Sequence, residues 1–138
     1  MIHGIGTDIV RIARLEQSLA RFGETLARRI LADTELPAFQ ASRQPARLLA
    51  KRFAAKEAVA KALGTGFRDG LILPQIAIEH DAAGRPLVRY HGRAAQLVAQ
   101  LGIADTLLSL SDEQDYAVAF ALLLKGPAAP RQAGADVG

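Results

Sequence analysis

The sequence contains no cysteine and no tryptophan, and aromatic residues make up only 5% of its 138 positions. Without cysteine, disulfides and thiolate metal sites are excluded, so a bound metal would need oxygen or histidine ligands. The three histidines, His3, His80 and His91, lack the spacing of a ligand set. The few aromatic residues leave little surface on which bases can stack, which argues against a nucleic-acid partner.

Long hydrophobic runs are also missing. The longest apolar run, residues 117–124, is far too short to cross a bilayer, so we expect no membrane span. The first residues lack the basic segment and apolar stretch of a secretory signal, and we expect a cytoplasmic protein. A hydrophobic content of 50% is typical of a globular domain. The net charge of +3 is compatible with an acidic partner, a phosphorylated ligand or RNA.

The order of predicted elements indicates an α+β fold rather than strict alternation of strands and helices. Apolar residues recur every three or four positions over 12–31, which predicts an amphipathic helix that Gly23 can interrupt. The other predicted elements are a strand at 2–10, helices at 33–41, 46–63 and 92–101, and strands at 71–80, 86–91, 107–111 and 116–124. Residues 1–124 are expected to form the domain, and residues 125–138 a disordered tail rich in Ala, Pro and Gly.

Two carboxylates stand in unusual local sequences. Asp8 ends a glycine-rich strand, and Glu57 lies in an alanine-rich helix. A carboxylate from each could hold a hard metal ion. Two simpler interpretations stay open from the residues alone. Asp8 could cap a helix that begins near Val10, and Glu57 could form a surface ion pair with Lys61, four residues further on.

The end of the same helix offers a candidate phosphate contact. Lys61 and the loop of Gly64, Thr65 and Gly66 follow Glu57 closely, and a lysine beside backbone N–H groups suits a phosphate. The loop could equally do no more than end the helix. The sequence carries no Walker signature, so we do not predict a P-loop.

Three arginines repeat at an interval of seven residues. Arg14, Arg21 and Arg28 would each turn only about 20° from the last on a straight helix, opposite the apolar stripe. Such a row is either a solvated helix face or a docking surface for an acidic helix of a partner.

Two motifs together resemble those of the holo-acyl-carrier-protein synthases, the small 4′-phosphopantetheinyl transferases. The first is G-I-G-T-D-I at residues 4–9, and the second is F-A-A-K-E-A-V-A-K-A-L-G-T-G at residues 53–66. The similarity extends to about residue 124, through residues 28–31, 92–95 and 116–119. The resemblance implies the 4′-phosphopantetheinyl transferase fold, in which a small antiparallel sheet packs with a long helix and shorter helices.

The resemblance also implies a reaction, the transfer of phosphopantetheine from coenzyme A to a serine of acyl carrier protein in fatty acid biosynthesis. Asp8 and Glu57 would bind Mg²⁺, which would contact the coenzyme A pyrophosphate. Glu57, directly or through a metal-bound water, would take the serine proton, and Lys61 would stabilise the pyrophosphate or protonate the leaving group. The other expected coenzyme A contacts are Arg52, Gly64, Thr65, Gly66, Ser111 and Asp112.

By the same resemblance we expect a homotrimer with active sites between subunits, and a carrier-docking helix that bears Arg14 and Arg21. Asp112 departs from the family, which commonly has histidine at this position, near coenzyme A. A carboxylate there would repel a phosphate. The alternative is therefore a non-catalytic or weakly active homologue that still binds the carrier protein.

Overall fold

Five strands and five α-helices follow one another along residues 1–127, the part of the chain that this computed structural model describes. The strands are β1 (Ile2–Arg11), β2 (Ile76–His80), β3 (Pro86–Tyr90), β4 (Ile103–Asp112) and β5 (Tyr116–Lys125). The helices are α1 (Ile12–Phe22), α2 (Glu24–Ile30), α3 (Leu36–Ala41), α4 (Pro45–Leu63) and α5 (Gly92–Leu101). Turns of 3-10 helix cover Asp33–Glu35 and Leu73–Gln75. The predicted α+β fold class is confirmed.

The larger sheet has three antiparallel strands in the order β1-β5-β4, and β2 pairs with β3 in a separate antiparallel sheet. Side chains of a strand alternate between its two faces. Along β5 the inward-facing side chains are all buried, and α4 packs against them. They are Ala117, Ala119, Ala121 and Leu123. The predicted small antiparallel sheet packed with a long helix is present.

The glycines of β1 allow α4 to lie directly on the strand. A Cβ added to Gly6 would stand 2.0 Å from the carbonyl oxygen of Ala58, and one added to Gly4 would stand 2.2 Å from that of Ala62. Both alanines are themselves buried. Two glycines in the strand and small residues in the helix thus serve one close backbone contact, which joins the two sequence motifs in space.

The predicted helix at 12–31 is two helices, because Gly23 has φ of +60° and ψ of −143°. Glycine adopts this backbone conformation far more readily than other residues. Consequently Arg14 and Arg21 lie on α1 and Arg28 lies on α2. The regular row of three arginines along one helix was wrong.

Other boundaries also differ from the prediction, and the helix expected at 33–41 is a 3-10 turn at Asp33–Glu35 followed by α3. The strand expected at 71–80 begins only at Ile76, since the preceding residues form a 3-10 turn that contains Pro74. Strand β4 begins at Ile103, four residues early, because its pairing with β5 continues to Lys125. Strand β5 therefore includes the first residue of the predicted tail, and residues 128–138 of that tail lie outside the described residues.

The outer face of the larger sheet, the one turned away from α4, is apolar and open. Its exposed large side chains are Ile5, Ile9, Leu107, Val118 and Phe120. Phe120 is 46% exposed although it lies on the central strand. Several large apolar side chains exposed on one face of a sheet are typical of an interaction site. None of the helices within residues 1–127 has the length and apolarity needed to cross a membrane.

Candidate active site

Asp8 lies within β1, where the strand crosses α4. It pairs with Ala119 of β5 and shares the inward face of β1 with Gly4 and Gly6. Its side chain is largely shielded, with 17% exposed. Helix α1 begins only at Ile12 and has no side-chain cap. The interpretation of Asp8 as a helix cap is therefore wrong, and its carboxylate is directed to the surface of α4.
 
Lys61 joins the two motifs through its ammonium group. Its Nζ lies 3.1 Å from Oδ1 of Asp8 and donates to the backbone carbonyl of Thr7 at 2.9 Å. The salt bridge thus runs from α4 to β1 and does not follow the helix to Glu57, as the simpler interpretation had it. The lysine side chain is about half exposed, at 53%, so its ammonium remains open to a ligand.

Glu57 is the less satisfied carboxylate of the pair. It is half-buried on α4 and forms no ion pair among residues 1–127. Burial and the nearby charge of Asp8 raise the pKa of Glu57, and Lys61 opposes this shift. Two acids whose charges repel within a partly shielded site are suited to binding a cation or to taking up a proton.

The two carboxylates of this site fit Mg²⁺ better than they fit a metal ion that is held by side chains alone. Within the described residues, three or more His, Cys, Asp or Glu side chains nowhere gather as a metal cluster. Asp8 and Glu57 offer carboxylate oxygens alone. Magnesium is commonly held by one or two carboxylates, with waters and substrate phosphates completing its octahedron. The pair could therefore hold Mg²⁺ once a phosphate ligand is present.

The loop after α4 offers less to a phosphate than its glycines suggest. The backbone N–H of Gly64 closes the helix by donating to the carbonyls of Ala60 and Lys61. The hydroxyl of Thr65 donates to the carbonyl of Gly66 at 3.2 Å. The N–H of Gly64 is therefore used to end the helix and is not available to a phosphate. The loop still lies close to Lys61 in sequence, since its residues follow the lysine by three to five positions.

A second charged cluster lies buried on another face of α4. Glu35 accepts from Nζ of Lys56 at 2.5 Å and from Nη1 of Arg52 at 2.9 Å. Arg52 also donates to the carbonyl of Ile78, and Lys56 to that of Leu73. Burial lowers the pKa of Lys56, although Glu35 opposes the shift. These bonds tie α4 to the segment before α3, to β2 and to the second 3-10 turn.

A cationic cavity of about 220 Å³ opens beside this cluster. Side chains from α4, from the loop before it, from the end of β2 and from β4 line the cavity. They are Ser42, Gln44, Arg47, Leu48, Lys51, Arg52, His80 and Leu110. Arg52, predicted as a coenzyme A contact, therefore reaches this cavity while one of its nitrogens is held by Glu35.

Asp112 is paired with cations of this same region. Its Oδ2 accepts from Arg47 at 2.9 Å, and its Oδ1 lies 3.5 Å from Nζ of Lys51. Hydrogen bonding to Arg47 lowers the pKa of Asp112. Arg47 also donates to the carbonyls of Glu113 and Gln114, so it holds the turn between β4 and β5. Asp112 is thus less available to repel a phosphate than its sequence position suggested.

The structure divides the predicted site residues into two groups. Asp8, Glu57 and Lys61 come together, whereas Arg52 lines the cationic cavity and Asp112 pairs with Arg47 and Lys51 of its lining. Glu57 and Arg52 are five residues apart on α4, which separates their directions by about 140° around the helix. Ser111 is exposed on the outer sheet face, opposite Val118 of β5. One chain therefore does not bring all predicted coenzyme A contacts together.

The arginine surface now consists of Arg14 and Arg21, both exposed on α1. The guanidinium of Arg21 stacks over the ring of Phe22, with its central carbon 5.1 Å from the centroid. Phe22 is 49% exposed, so the surface combines positive charge with an apolar group. Arg28, on α2, instead lies 3.8 Å from the carboxylate of Glu24.

Sequence reasoning missed Glu35, Arg47, Lys51 and His80. Glu35 lies in a 3-10 turn with no local pattern to indicate a buried acid. Arg47, Lys51 and Arg52, however, put three cations within two turns of one helix, and that clustering was visible. The end of β2 at His80 joins them only through the tertiary fold.

Comparison with known proteins gives consistent matches. The model of the 4′-phosphopantetheinyl transferase superfamily matches residues 4–121. The holo-[acyl-carrier-protein] synthase of Halorhodospira halophila is 55% identical over 126 residues, which cover 91% of this chain and 100% of that protein. The crystal structure of holo-[acyl-carrier-protein] synthase from Neisseria meningitidis aligns with a TM-score of 0.86 at 45% identity, covering 91% of this chain and 100% of its own. The holo-(acyl-carrier-protein) synthase of Bacillus anthracis in complex with CoA (3′,5′-ADP) aligns with a TM-score of 0.76 at 31% identity, covering 91% and 99%.

Proposed function

The chain belongs to the 4′-phosphopantetheinyl transferase superfamily, and we propose that it transfers the 4′-phosphopantetheine group of coenzyme A to a serine of apo acyl carrier protein. The relatives named above are holo-acyl-carrier-protein synthases, and one was solved with CoA. The observation that carries the proposal is the meeting of Asp8, Glu57 and Lys61 where β1 crosses α4. Fatty acid biosynthesis and a cytoplasmic location belong to the same proposal.

The reaction forms a bond between the serine Oγ of the carrier and the phosphorus that bears pantetheine. The bond from that phosphorus to adenosine 3′,5′-bisphosphate breaks. Glu57, whose pKa is raised by burial and by Asp8, accepts the serine proton directly or through a water. Lys61, already oriented by Asp8 and Thr7, stabilises the charge that develops on the leaving bisphosphate.

Mg²⁺ is the metal we propose for this site, held by Asp8 and Glu57. When bound, it would offset the negative charge of the pyrophosphate, and coenzyme A oxygens and water would complete its coordination. Lys61 is positioned to offset part of the same negative charge, because its ammonium lies 3.1 Å from Asp8. Gly64, Thr65 and Gly66 then line the coenzyme A path beyond Lys61.

A homotrimer with active sites between subunits is also part of the proposal. The outer sheet face, with Phe120 and Val118 at its centre, offers an apolar surface for further copies of the chain. Arg52 and Glu57 point in directions about 140° apart on α4. A coenzyme A molecule that contacts both kinds of residue is best accommodated between two copies, with Ser111 at the contact face.

The surface of Arg14, Arg21 and Phe22 is the proposed docking site for the carrier. Two exposed cations beside an exposed aromatic ring suit an acidic amphipathic helix. Arg28 is a weaker contributor because Glu24 lies beside it.

The test of the proposed function is to incubate the chain with coenzyme A and an apo carrier protein, with and without Mg²⁺, and to weigh the carrier. The expected result is a gain of one phosphopantetheine group, lost on chelation of the metal and restored by added Mg²⁺. A carrier that binds but never gains mass would instead identify the non-catalytic alternative.

The trimer is tested separately by light scattering on the purified chain. We expect a mass of three chains, and Phe120→Asp should reduce it to one because a charge would be buried at the interface. Leu87→Asp is the matched control, since Leu87 is also partly exposed but lies on β3. A monomeric wild-type chain would contradict this part of the proposal.

A further inference from the structure

His80 faces the cationic cavity from the end of β2. Lys51 and Arg52 reach the same cavity from α4. Glu35 occupies one nitrogen of Arg52, but the ammonium of Lys51 has only Asp112, at 3.5 Å, as an ion-pair partner within residues 1–127. Lys51 keeps 38% of its side chain exposed. The cavity thus retains positive charge that is incompletely offset.

The imidazole of His80 makes no side-chain hydrogen bond within the described residues, so it is free to meet a ligand at the cavity rim. Partial burial, Arg52 and Lys51 lower the pKa of His80, and Asp81, the next residue, opposes the shift. The other nearby acids are committed, since Glu35 holds Arg52 and Asp112 holds Arg47. Because the ordinary histidine pKa is about 6.5, His80 is largely neutral near pH 7 before a ligand binds.

We propose that His80 is a further ligand-binding residue of this enzyme, whose protonated imidazole pairs with the 3′-phosphate of coenzyme A in the cavity. The inference rests on the proposed function, which assigns the pyrophosphate to Asp8, Glu57 and Lys61. The 3′-phosphate is then the remaining dianionic group of the co-substrate. Its charge outweighs the repulsion that Lys51 and Arg52 exert on an imidazolium, so the ring gains a proton from solvent as the ligand binds.

Proton uptake has a definite sign. A group that is protonated in the complex and neutral in the free protein strengthens binding at low pH, and this advantage fades as the pH rises through the pKa of the complex. The contribution of His80 to coenzyme A affinity should therefore fall between pH 6 and pH 8. The 3′-phosphate ionises in the same range, with a second pKa of about 6, so the test compares wild type with His80→Gln at each pH.

The experiment is calorimetric titration of coenzyme A into the full chain in two buffers of equal pH and different ionisation enthalpy. Wild type should take up a larger fraction of a proton than His80→Gln, and the variant should bind on the order of tenfold more weakly at pH 6. The loss should shrink toward pH 8. His91→Gln is the matched control, because His91 lies before α5 and lines a different cavity. Dephospho-coenzyme A should lose both the extra proton uptake and the sensitivity to His80→Gln.

Equal affinity and equal proton uptake in wild type and His80→Gln would overturn the inference. Retention of the extra uptake with dephospho-coenzyme A would also overturn it, since the pyrophosphate would then be the partner. Both results are distinguishable from failure of the proposed function. In that case the wild-type chain itself would neither bind coenzyme A nor add mass to the carrier.

Discussion

Lys56 and Glu57 are consecutive residues of α4, yet their surroundings are opposite. Lys56 is fully buried and bonded to Glu35 and to the carbonyl of Leu73. Glu57 is half-buried, without an ion pair in residues 1–127, and close enough to Asp8 that the two acids repel. Neighbouring positions on one helix therefore hold a charge that is fully hydrogen-bonded and a charge that has no ion-pair partner.

The contrast separates a structural cluster from a functional one by how completely the charges are paired. Glu35 receives bonds from Arg52, Lys56 and the backbone N–H of Ala32, and it is only 1% exposed. Removing any partner there would leave a buried charge without compensation. Asp8 pairs with Lys61 at the edge of solvent, whereas Glu57 has no ion-pair partner within residues 1–127. That incomplete pairing leaves the carboxylates available to a metal and its phosphate ligand.

The largest expected effect comes from breaking the buried cluster. Glu35→Ala should reduce the free energy of unfolding by about 3–5 kcal/mol, because it leaves Arg52 and Lys56 without their shared acid. Chemical denaturation measures the change. Glu79→Ala is the control, since Glu79 forms an exposed pair with Arg89 at 2.8 Å, and its loss should cost no more than about 1 kcal/mol. Similar costs for both variants would show that the buried cluster has no special structural role.

The carboxylate pair should show the reverse pattern. Asp8→Ala and Glu57→Ala should each reduce Mg²⁺-dependent transfer on the order of 100-fold or more while the chain stays folded, because each removes a proposed metal ligand. The mass shift of the carrier measures the rate, and circular dichroism checks the fold. Glu24→Ala, an exposed acid on α2, should leave the rate unchanged. Near-normal turnover in either active-site variant would remove that residue from the catalytic assignment.

The sequence indicates the carboxylate pair more clearly than it indicates the buried cluster, and the reason is physical. Asp8 and Glu57 stand in motifs whose glycines and alanines permit one close backbone contact, and that contact brings the acids together. The partners of Lys56 depend on a 3-10 turn at Asp33–Glu35 and on where β2 passes. No local spacing records such tertiary contacts, just as none recorded the pairing of Asp112 with Arg47.

Helices and strands were predictable where the spacing of apolar residues and the position of a glycine indicated the same boundary. Helix α4 lies at Pro45–Leu63, close to the predicted 46–63, and Gly64 ends it in a left-handed conformation. The sequence marked Gly23 as a possible interruption of the helix over 12–31, but the apolar period alone did not decide it, because two helices that pack on one core keep a similar stripe. The position of Arg28 was misjudged for that reason.

Docking should be more sensitive than catalysis to exposed charge. Arg14→Glu combined with Arg21→Glu should raise the KM for the carrier on the order of tenfold and leave the KM for coenzyme A little changed. Steady-state kinetics at low and moderate salt test this, since wild-type docking should weaken as screening increases. Arg93→Glu with Lys125→Glu carries the same charge change on α5 and β5. An equal rise in both KM values would place the α1 arginines in the active site or the fold.

The raised pKa of Glu57 predicts a smaller effect of opposite sign on stability. Above both its unfolded and folded pKa values, the ionised carboxylate is penalised in the metal-free fold, so stability falls as the pH rises from the first value to the second. Glu57→Gln should therefore stabilise the metal-free chain at pH 7, by less than about 1 kcal/mol because solvent screens a half-exposed group. Denaturation with chelator measures this. The gain should vanish below the unfolded pKa. A destabilised variant would mean that Glu57 is favourably paired without metal.

Asp112 gives the smallest expected change and the finest comparison, because it is an acid paired at the edge of the cationic cavity. Asp112→Asn should tighten coenzyme A binding about two- to threefold, because it releases Lys51 from its ion pair. Arg47 would still donate hydrogen bonds to the carbonyls of Glu113 and Gln114. Asp112→His should gain less, because an imidazole there would stand beside two cations. Calorimetry in the presence of Mg²⁺ measures both, with Asp115→Asn in the same turn as the control. Weaker binding in both Asp112 variants would instead mean that the carboxylate orients Arg47 and Lys51 for the ligand. Ion pairing beside the cavity would then support ligand binding, just as ion pairing in the buried cluster supports the fold.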